Sequence, residues 1–524
     1  MRVFLYRLAF LCLLALAGGV SGAVLYVDVN SPNPTSPYST LSTAARTIQD
    51  AVDAANDGDL ILVNDGNYQT GARATRQSLM GLTATYDTNR LVIARSVTVQ
   101  SINGPGAAFI DGGGQYRCAF VTNGATLSGF TLRNGCVGWL QTTVLLGHSI
   151  TKTNLGYGGG VAGVIPSLNR GVVTNCIITG NTALGYGGSA SDMNLVNCTL
   201  TDNRAISGGG AFNCSLSNCV VNGNSGQSTG KSSGGMPQPP SSITPGAGGG
   251  IYAGSAYNCL VENNSAFDGG GVFGAVNLVN CTIENNSATI VGGVDALVSS
   301  SGSDKLFNCI LYDNTASGTN SNYGTGSLTF SYCCLRPLAT GTGNFTNDPA
   351  FVDYEGDDFH LQSDSLCINS GYNGAVVTPT DLDGNPRIAG GTVDVGCYEF
   401  TNPASLLGYL WAQQYGFPTD GSADFLDPDG DGMNNWQEFI AGTNPTNAAS
   451  VLTMNSAVPQ SYFNWVVVTW QGVSTRSYFL QRTTNLIGGF ITIETNIAGL
   501  DGTTIYYDTS ATNGGPYFYR VGVQ

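Results

Sequence analysis

A short motif of alternating apolar and polar positions recurs through the middle of the chain. Each copy places aliphatic residues around one cysteine, as in Val196, Cys198 and Leu200, and an asparagine follows five positions after the cysteine. Alternation puts these side chains on one face of a strand, so the cysteines are predicted to form a buried column of thiols. The cysteines are Cys176, Cys198, Cys219, Cys259, Cys281 and Cys309, and the asparagines are Asn181, Asn203, Asn224, Asn264, Asn286 and Asn314.

The spacing of the copies predicts a solenoid. Cys176 and Cys198 are 22 residues apart, and a glycine cluster precedes each copy. A repeat of this length holds three short strands but no helix, which favours an all-β parallel β-helix over a leucine-rich repeat. Asparagine tolerates left-handed backbone and can bond a stacked asparagine, so the repeated asparagines are predicted at turns.

The start of the solenoid has its own signature. Ile48, Ala51, Val52 and Ala55 follow helical spacing before Gly58, which predicts a helix capping the first coil. The strings YVDVN, TIQDAVDAAND and GDLILVNDGNY resemble the opening of bacterial right-handed parallel β-helix proteins of the pectate-lyase-like superfamily. The repeats are similar to those of polymorphic outer-membrane proteins. The segment from Asn344 to Phe400 resembles the closing coils of secreted β-helix proteins, so it is predicted as an exit cap.

The N-terminal residues indicate export. Arg2 and Arg7 precede an apolar run that is too short to span a bilayer, and small residues follow it. This order predicts a signal peptide over residues 1–22 and a secreted or outer-surface bacterial protein without a transmembrane span.

The charge of the chain limits its possible binding partners, and its cysteine content raises the question of disulfide bonds. The formal net charge is −16, and the chain has only 19 lysines and arginines, which argues against nucleic-acid binding. Fourteen cysteines in an exported chain suggest disulfides, but their fixed place in the repeat favours unreactive core thiols. Neighbouring stacked thiols could still oxidise.

A different motif follows the solenoid. The string DPDGDGMNNWQE has the twelve-residue spacing of a calcium loop, with Gly432 at position 6 and Asn434 at position 8. It resembles the calcium motifs of thrombospondin type 3 and dockerin modules, although dockerins carry two copies and this sequence has one. The predicted ligands of a structural Ca²⁺ are Asp427, Asp429, Asp431, the Met433 carbonyl, Asn435 and Glu438.

The remaining C-terminal residues alternate over several short runs, which predicts a small antiparallel β-sandwich resembling part of a fibronectin type III module. The predicted segments are therefore 1–22 (signal peptide), 23–400 (β-helix), 401–450 (calcium loop) and 451–524 (sandwich).

No catalytic residue can be assigned from these patterns. Glu262 and Glu284 are predicted to stack one coil apart on the outer face, a spacing that could flank a glycosidic bond, although a solvated acidic face is the plainer interpretation. The hypothesis is a monomeric, non-catalytic surface protein that binds glycans. A polysaccharide lyase or glycoside hydrolase, and a purely structural spacer, are the alternatives.

Overall fold

The computed structural model describes residues 22–77, 85–145, 148–154, 156–164, 169–226, 246–296, 304–318, 321–324, 326–460, 462, 465–512 and 515–523. The predicted signal peptide up to residue 21 and most of the Gly/Ser/Pro-rich loop around 223–247 lie outside them. The chain forms two compact units, the first up to Leu216 with Val220–Ala253 and the second of Ser217–Cys219 with Gly254–Gln524. None of the described helices has the length and apolar character needed to cross a membrane.

Short strands make up most of the first unit. Strands β1 to β12 are Val24–Val27, Leu60–Val63, Gly66–Tyr68, Arg73–Gln77, Thr85–Ile93, Thr98–Ser101, Ala108–Asp111, Arg117–Val121, Thr126–Ser128, Thr131–Arg133, Cys136–Val137 and Trp139–Leu145. Strands β13 to β25 are His148–Asn154, Val161–Ala162, Val172–Thr174, Ile177–Thr179, Thr182–Ala183, Ala190–Ser191, Asn194–Val196, Thr199–Thr201, Arg204–Ala205, Ala211–Ser217, Val220–Asn222, Ser225–Gly226 and Ile251–Tyr257.

The second unit continues with strands and two short helices. Strands β26 to β38 are Leu260–Glu262, Ser265–Ala266, Val272–Val279, Thr282–Glu284, Ser287–Ala288, Val294–Asp295, Asp304–Phe307, Ile310–Leu311, Thr315–Ala316, Leu328–Ser331, Cys334–Leu335, Phe351–Asp353 and Asp358–Leu361. Strands β39 to β44 are Met454–Gln460, Trp465–Gly472, Ser477–Thr483, Ile491–Ala498, Gly502–Asp508 and Phe518–Val523. The α-helices are α1 (Ile48–Ala54), α2 (Tyr409–Tyr415) and α3 (Asn435–Ala441), and 3₁₀ turns cover Leu41–Thr43 and Asn373–Ala375.

Equivalent strands of successive coils pair in parallel. In the first unit β3, β7, β10, β16, β20 and β23 form one such ladder, and in the second unit β26, β29, β33 and β36 form another. Each coil thus contributes one strand to each face, and this arrangement is a parallel β-helix. The predicted fold class is confirmed.

Inward and outward side chains do not alternate strictly along each repeat. β19 ends at Val196, and Asn197 takes a left-handed backbone (φ 52°) before β20 begins at Thr199. Because the chain bends there, Leu195 faces the core with Cys198 and Leu200, whereas Val196 is half-buried. The predicted inward position of Val196 is wrong for this reason.

The repeated cysteines line the interior. All six are buried, and no disulfide bond joins any of the described cysteines. Burial raises the pKa of Cys176 to about 12, which leaves its thiol protonated and chemically inert.

The repeated asparagines form buried ladders. The backbone N and Nδ2 of Asn181 both donate to Asn203 Oδ1, and Asn203 donates to Asn224 in the same way, all at 3.0 Å. In the second unit the same bonds run from Asn264 through Asn286 to Asn314. The stacking was predicted, but the left-handed turn residue is the one before the ladder, such as Asp202.

Two strands of the first unit pair outside the coils in an antiparallel ladder. Strands β12 and β13 pair from Trp139 opposite Asn154 to Leu145 opposite His148, and Lys152 lies in β13. The threonines and aliphatic residues of these segments favour extended backbone.

The C-terminal residues form two three-stranded antiparallel sheets, β39-β40-β43 and β42-β41-β44. Val466, Val468 and Trp470 of β40 pack with Tyr478 and Leu480 of β41 in one core cluster. Alternate residues of these strands therefore point between the sheets, as in a β-sandwich.

Candidate functional site

The predicted calcium loop brings three carboxylates together. Asp427, Asp429 and Asp431 each present an oxygen, and these oxygens lie within 4.8 Å of one another. Asp427 accepts hydrogen bonds from the backbone N–H groups of Gly430 (2.8 Å) and Gly432 (3.0 Å), which turns the loop around its first carboxylate. Gly432 has φ +94°, a conformation that explains glycine at position 6.

Helix α3 supplies the last two predicted ligands. Asn434 caps the helix in a capping box with Gln437, which accounts for an asparagine at position 8 of the loop. Asn435 and Glu438 are then fixed in the first turn and fully buried. Asn435 Nδ2 donates to the Ala423 carbonyl at 2.8 Å, so its Oδ1 points elsewhere.

Several of these oxygens are buried without a hydrogen-bond donor among the described residues. They are Asp429 Oδ2, Asp431 Oδ2, Asn435 Oδ1 and both carboxylate oxygens of Glu438. Burial first, and then Asp429 and Asp431, raise the pKa of Glu438 to about 7, although Thr443 opposes the shift. Three clustered carboxylates, together with buried oxygens that lack donors in the first turn of the next helix, suit a hard divalent cation, so the residues fit the predicted ion.

The calcium loop is anchored on both sides within the second unit. Asp424, just before the loop, accepts hydrogen bonds from the Ser405 hydroxyl (2.6 Å) and the Leu406 N–H (2.8 Å). Arg476 of the sandwich donates to the carbonyls of Phe439 (3.0 Å) and Ile440 (2.9 Å) near the end of α3. The loop therefore lies at the junction between the β-helix exit and the sandwich.

The two glutamates proposed from the sequence do stack. Glu262 and Glu284 are register partners on the neighbouring parallel strands β26 and β29. They are nevertheless buried, with 4% and 0% of their surface exposed, and burial raises the pKa of Glu262 to about 7. Burial, Asp313 and Asp348 raise the pKa of Glu284 well above its usual range. The prediction of a solvated outer face is wrong at these two positions.

The closing segment 344–400 covers these carboxylates, and it is not an extra coil at the end of the solenoid. Cys397 N–H donates to Thr282 Oγ1 at 3.2 Å, and Gly396 N–H donates to the Asn308 carbonyl at 2.9 Å. Tyr354 hydrogen-bonds Asn285, the neighbour of Glu284. Gly396 permits this approach because a Cβ there would lie 2.8 Å from Ile310 Cδ1. The closing segment thus shields this part of the β-helix face from solvent.

His360 lies between two aspartates of the closing segment. Its Nδ1 contacts Asp358 at 2.5 Å and its Nε2 contacts Asp383 at 2.8 Å, while the ring stacks on Tyr398. Burial opposes its protonation, but Asp383 and Asp358 raise the pKa of His360 above its usual value. The histidine thus ties two turns of the closing segment together.

Sequence reasoning missed a column of aromatic rings on the first unit, made of Tyr157, Tyr186, Phe212 and Tyr252. Successive ring centroids lie 5.5, 4.8 and 5.7 Å apart, and the rings of Tyr157 and Tyr186 are nearly parallel. Tyr157 is buried and the other three are partly exposed.

Glycines make room for this column. Gly187 and Gly208 have φ near +65°, and a Cβ on either would lie 3.2 Å from the Cβ of Phe212 or Tyr252. The available signal was positional, because each aromatic residue stands either just before a glycine cluster or four residues after its first glycine. A single repeat does not reveal it, since Ser207 and Ala247 interrupt the tyrosines.

Asp192 and Asn213 lie beside the aromatic column. Asn213 Nδ2 donates to Asp192 Oδ1 at 2.6 Å, and the Ser191 hydroxyl donates to Asp192 Oδ2 at 2.5 Å. Burial raises the pKa of Tyr157 to about 12, with Tyr186 and Asp192 adding to the shift. Asn213 is therefore a partly exposed amide beside the rings, whereas Ser191 and Asp192 are buried.

Comparison with known proteins yields only distant similarity. No family model and no curated protein matches the chain. Among solved structures, the pectate lyase Pel9A is 16% identical with a TM-score of 0.39, covering 73% of this chain and 97% of its own. A pectin methylesterase from Aspergillus niger is 16% identical (TM-score 0.23, 66% and 91% covered), and XylC in complex with xylose is 7% identical (0.32, 72% and 98%). The description of this chain as a parallel β-helix protein with a C-terminal sandwich rests on its own strand pairing.

Proposed function

We propose that this chain is an exported β-helix protein that binds glycans without cleaving them and uses calcium for structure. The aromatic column of the first unit carries the proposal. Its partly exposed rings offer apolar surface in line along the stacked coils, and a polymer made of repeating sugar units presents apolar C–H groups in the same linear fashion.

The polar groups beside the column support a sugar ligand over a purely apolar one. Tyrosine rings carry hydroxyls, and the partly exposed Asn213 directly follows Phe212 of the column and is held by the buried Asp192. A ligand with both C–H faces and hydroxyls meets both kinds of group, which is how mostly apolar sites gain specificity.

The environment of Glu262 and Glu284 favours binding over the lyase or hydrolase alternative. A glycosidase needs two carboxyl groups with access to the sugar and an acid and a base in different protonation states. Here both carboxyl groups lie beneath the closing segment, and burial raises both pKa values in the same direction. The pair resembles neutral core groups more than an acid–base pair.

Calcium is proposed at the loop Asp427–Glu438, with Asp427, Asp429, Asp431, the Met433 carbonyl, Asn435 and Glu438 as its ligands. The buried oxygens without donors support it, since such groups cost free energy unless a cation or proton compensates them. The ion would stabilise the junction between β-helix and sandwich.

The test is depletion of the mature protein from solution by a panel of insoluble and soluble polysaccharides, neutral and uronic. Reducing ends and unsaturated-product absorbance are followed in the same samples. We expect retention without turnover, and at least about fivefold weaker retention for Phe212→Ala, because it removes a partly exposed ring from the column. Tyr86→Ala removes an exposed tyrosine outside the column and serves as the matched control.

Each result decides between the candidates. Turnover of any polymer would favour the enzyme alternative and direct attention to Glu262 and Glu284. No retention by any polymer would favour the structural spacer. Equal loss in Phe212→Ala and Tyr86→Ala would remove the aromatic column from the site.

A further inference from the structure

The C-terminal sandwich exposes an apolar sheet face that the proposed function does not use. We call it the sandwich face, and it comprises the outward side chains of the sheet β39-β40-β43. Val466, Val468 and Trp470 of β40 point into the core, so the alternate residues of that strand point outward. The apolar members of the face are Val458, Trp465, Val467, Ile505 and Tyr507.

Strand register places these side chains side by side. Val467 pairs with Val458 on one side and with Tyr507 on the other, which makes a row across all three strands. The exposed fractions are 48% for Val458, 45% for Ile505 and 55% for Tyr507. Trp465 and Val467 are partly exposed as well, so the five side chains form one contiguous apolar patch.

Two aromatic rings stand together on the sandwich face. The ring centroids of Trp465 and Tyr507 are 6.0 Å apart with an interplanar angle of 62°. An indole and a phenol at this angle form a shallow step, with one ring presenting its face and the other its edge.

The sandwich face carries no charge at any of its outward positions. Besides the apolar members, these positions hold only uncharged polar residues, namely Ser456, Gln460, Thr469, Gln471 and Thr503. The Ser456 and Thr469 hydroxyls hydrogen-bond each other at 2.8 Å. Two aromatic rings surrounded by uncharged hydroxyl and amide groups distinguish this face from a solvated sheet surface.

We infer that the sandwich face is a second binding site, for a neutral polysaccharide chain whose sugar rings stack on Trp465 and Tyr507. The inference rests on the proposed function only for the general class of ligand. Apolar sugar faces would lie on the aromatic centre, while hydroxyls would bond the margin. A uronic polymer is excluded by charge, since the face offers no cation and the chain has a net charge of −16.

The size of the sandwich face argues against a second copy of the chain as its occupant. Three strands about 4.8 Å apart, and five residues rising about 3.4 Å each, give an apolar area on the order of 250 Å². A stable protein–protein interface buries about 800 Å² on each partner. The face is too small for a stable dimer, but a short stretch of a polysaccharide chain needs no more.

The experiment measures binding of the full chain to insoluble neutral β-glucan and to soluble neutral xylan and mannan. Trp465→Ala and Tyr507→Ala should each weaken binding about tenfold, because each removes a central ring. Tyr507→Phe keeps the ring and should retain most of the affinity. Tyr86→Ala is the exposed-tyrosine control, and circular dichroism melts establish that each variant is folded.

The outcomes separate this inference from the proposed function. If binding survives Trp465→Ala and Tyr507→Ala but weakens in Phe212→Ala, the sandwich face is not a binding site. The aromatic column would then remain as the proposed site. Binding lost in the sandwich variants alone would support the inference. Absence of binding by the unaltered chain would overturn both. A concentration-dependent dimer that Tyr507→Ala dissociates would show that a second copy occupies the face.

Discussion

Glu438 in the calcium loop and Glu284 in the β-helix look alike when each is considered alone. Both are fully buried in the second unit, and both have two carboxylate oxygens without a hydrogen-bond donor among the described residues. Burial is the largest cause of the raised pKa of each. Their surroundings, however, differ in geometry.

Around Glu438, a loop of twelve residues folds three further carboxylates to within 4.8 Å of one another. Around Glu284, acidic groups are spread along parallel strands and the cover, because stacked coils keep equivalent residues about 4.8 Å apart and aimed in parallel. Convergent oxygens favour a cation, whereas parallel, separated ones favour a proton. Burial alone therefore does not tell a metal ligand from a neutral carboxyl group.

The largest expected effect is that of calcium. We expect one site on the full chain by calorimetry, with Asp427→Ala weakening it about 100-fold because the first ligand of the loop is lost. Calcium at 100 times its dissociation constant should stabilise the C-terminal transition by about 2.7 kcal/mol, and chelation should remove this. Asp420→Ala, an exposed aspartate outside the loop, should change neither measurement. Undetectable binding heat together with an unchanged melting temperature would refute the site.

The next prediction compares substitutions at Glu284 with one at Asn286, a buried polar neighbour whose side chain is fully hydrogen-bonded. Asn286 accepts from Asn264 and donates to Asn314 Oδ1 and to the Val261 carbonyl. Asn286→Ala should lower the local opening free energy by about 2 kcal/mol, since it leaves several buried groups without partners. Hydrogen exchange of the coil measures this.

Asn277→Ala, at an exposed position in β28, is the control for Asn286→Ala. It should lower the local opening free energy by less than about 0.5 kcal/mol. Glu284→Met should be neutral or stabilising, because it replaces an unbonded carboxyl group with an apolar side chain of similar size. A loss for Glu284→Met as large as that for Asn286→Ala would show that Glu284 has a partner, and the comparison with Glu438 would then have to be revised.

The smallest effect is a pH dependence of opposite sign at the two sites. The folded-state pKa of Glu262 is about 7, against an ordinary value of 4.5, and that of Glu284 is also raised. The folded state therefore keeps protons that the unfolded state has lost, so stability is full below about pH 4.5 and falls as pH rises toward 7. We expect the closing segment to lose on the order of 1–2 kcal/mol of protection between pH 5 and pH 8.

Hydrogen exchange of residues 344–400 at saturating calcium, corrected for intrinsic rates, measures this loss. Glu284→Gln should flatten the dependence, and Glu355→Gln, an exposed change in the same segment, should leave it intact. At the calcium loop the sign reverses, because protons compete with the ion and calcium affinity should fall below about pH 7. If protection of the closing segment and calcium affinity changed with pH in the same direction, the assignment of a proton to Glu284 and a cation to Glu438 would be contradicted.

The sequence sufficed for the features that repeat or that lie within a few residues. The cysteine and asparagine spacing predicted stacked coils, and the loop spacing predicted that Asp427, Asp429 and Asp431 would lie close together. These are local or periodic relations, which a linear pattern records directly.

The sequence was insufficient where distant segments meet. Nothing near Glu284 indicates that Gly396 and Cys397, more than a hundred residues later, lie against the same face and bury it. The aromatic column was hidden because its rings occupy two different positions of the repeat. The alternation of apolar and polar residues also did not predict the bend at Asn197, because the bend depends on one left-handed residue between two short strands.

The asparagine ladders give each run of coils a direction. Within each run an asparagine donates to the next asparagine toward the C-terminus and accepts from the one before, while its Nδ2 also donates to a carbonyl of the preceding coil. Each coil therefore contributes the same connections at both of its sides. The last step even joins Asn314 to Asn322, only eight residues on, which shows that any segment able to deliver one amide can complete the run. A whole coil could thus be inserted or deleted without altering the bonding at either end, and proteins of this design can change length by duplication of a single repeat.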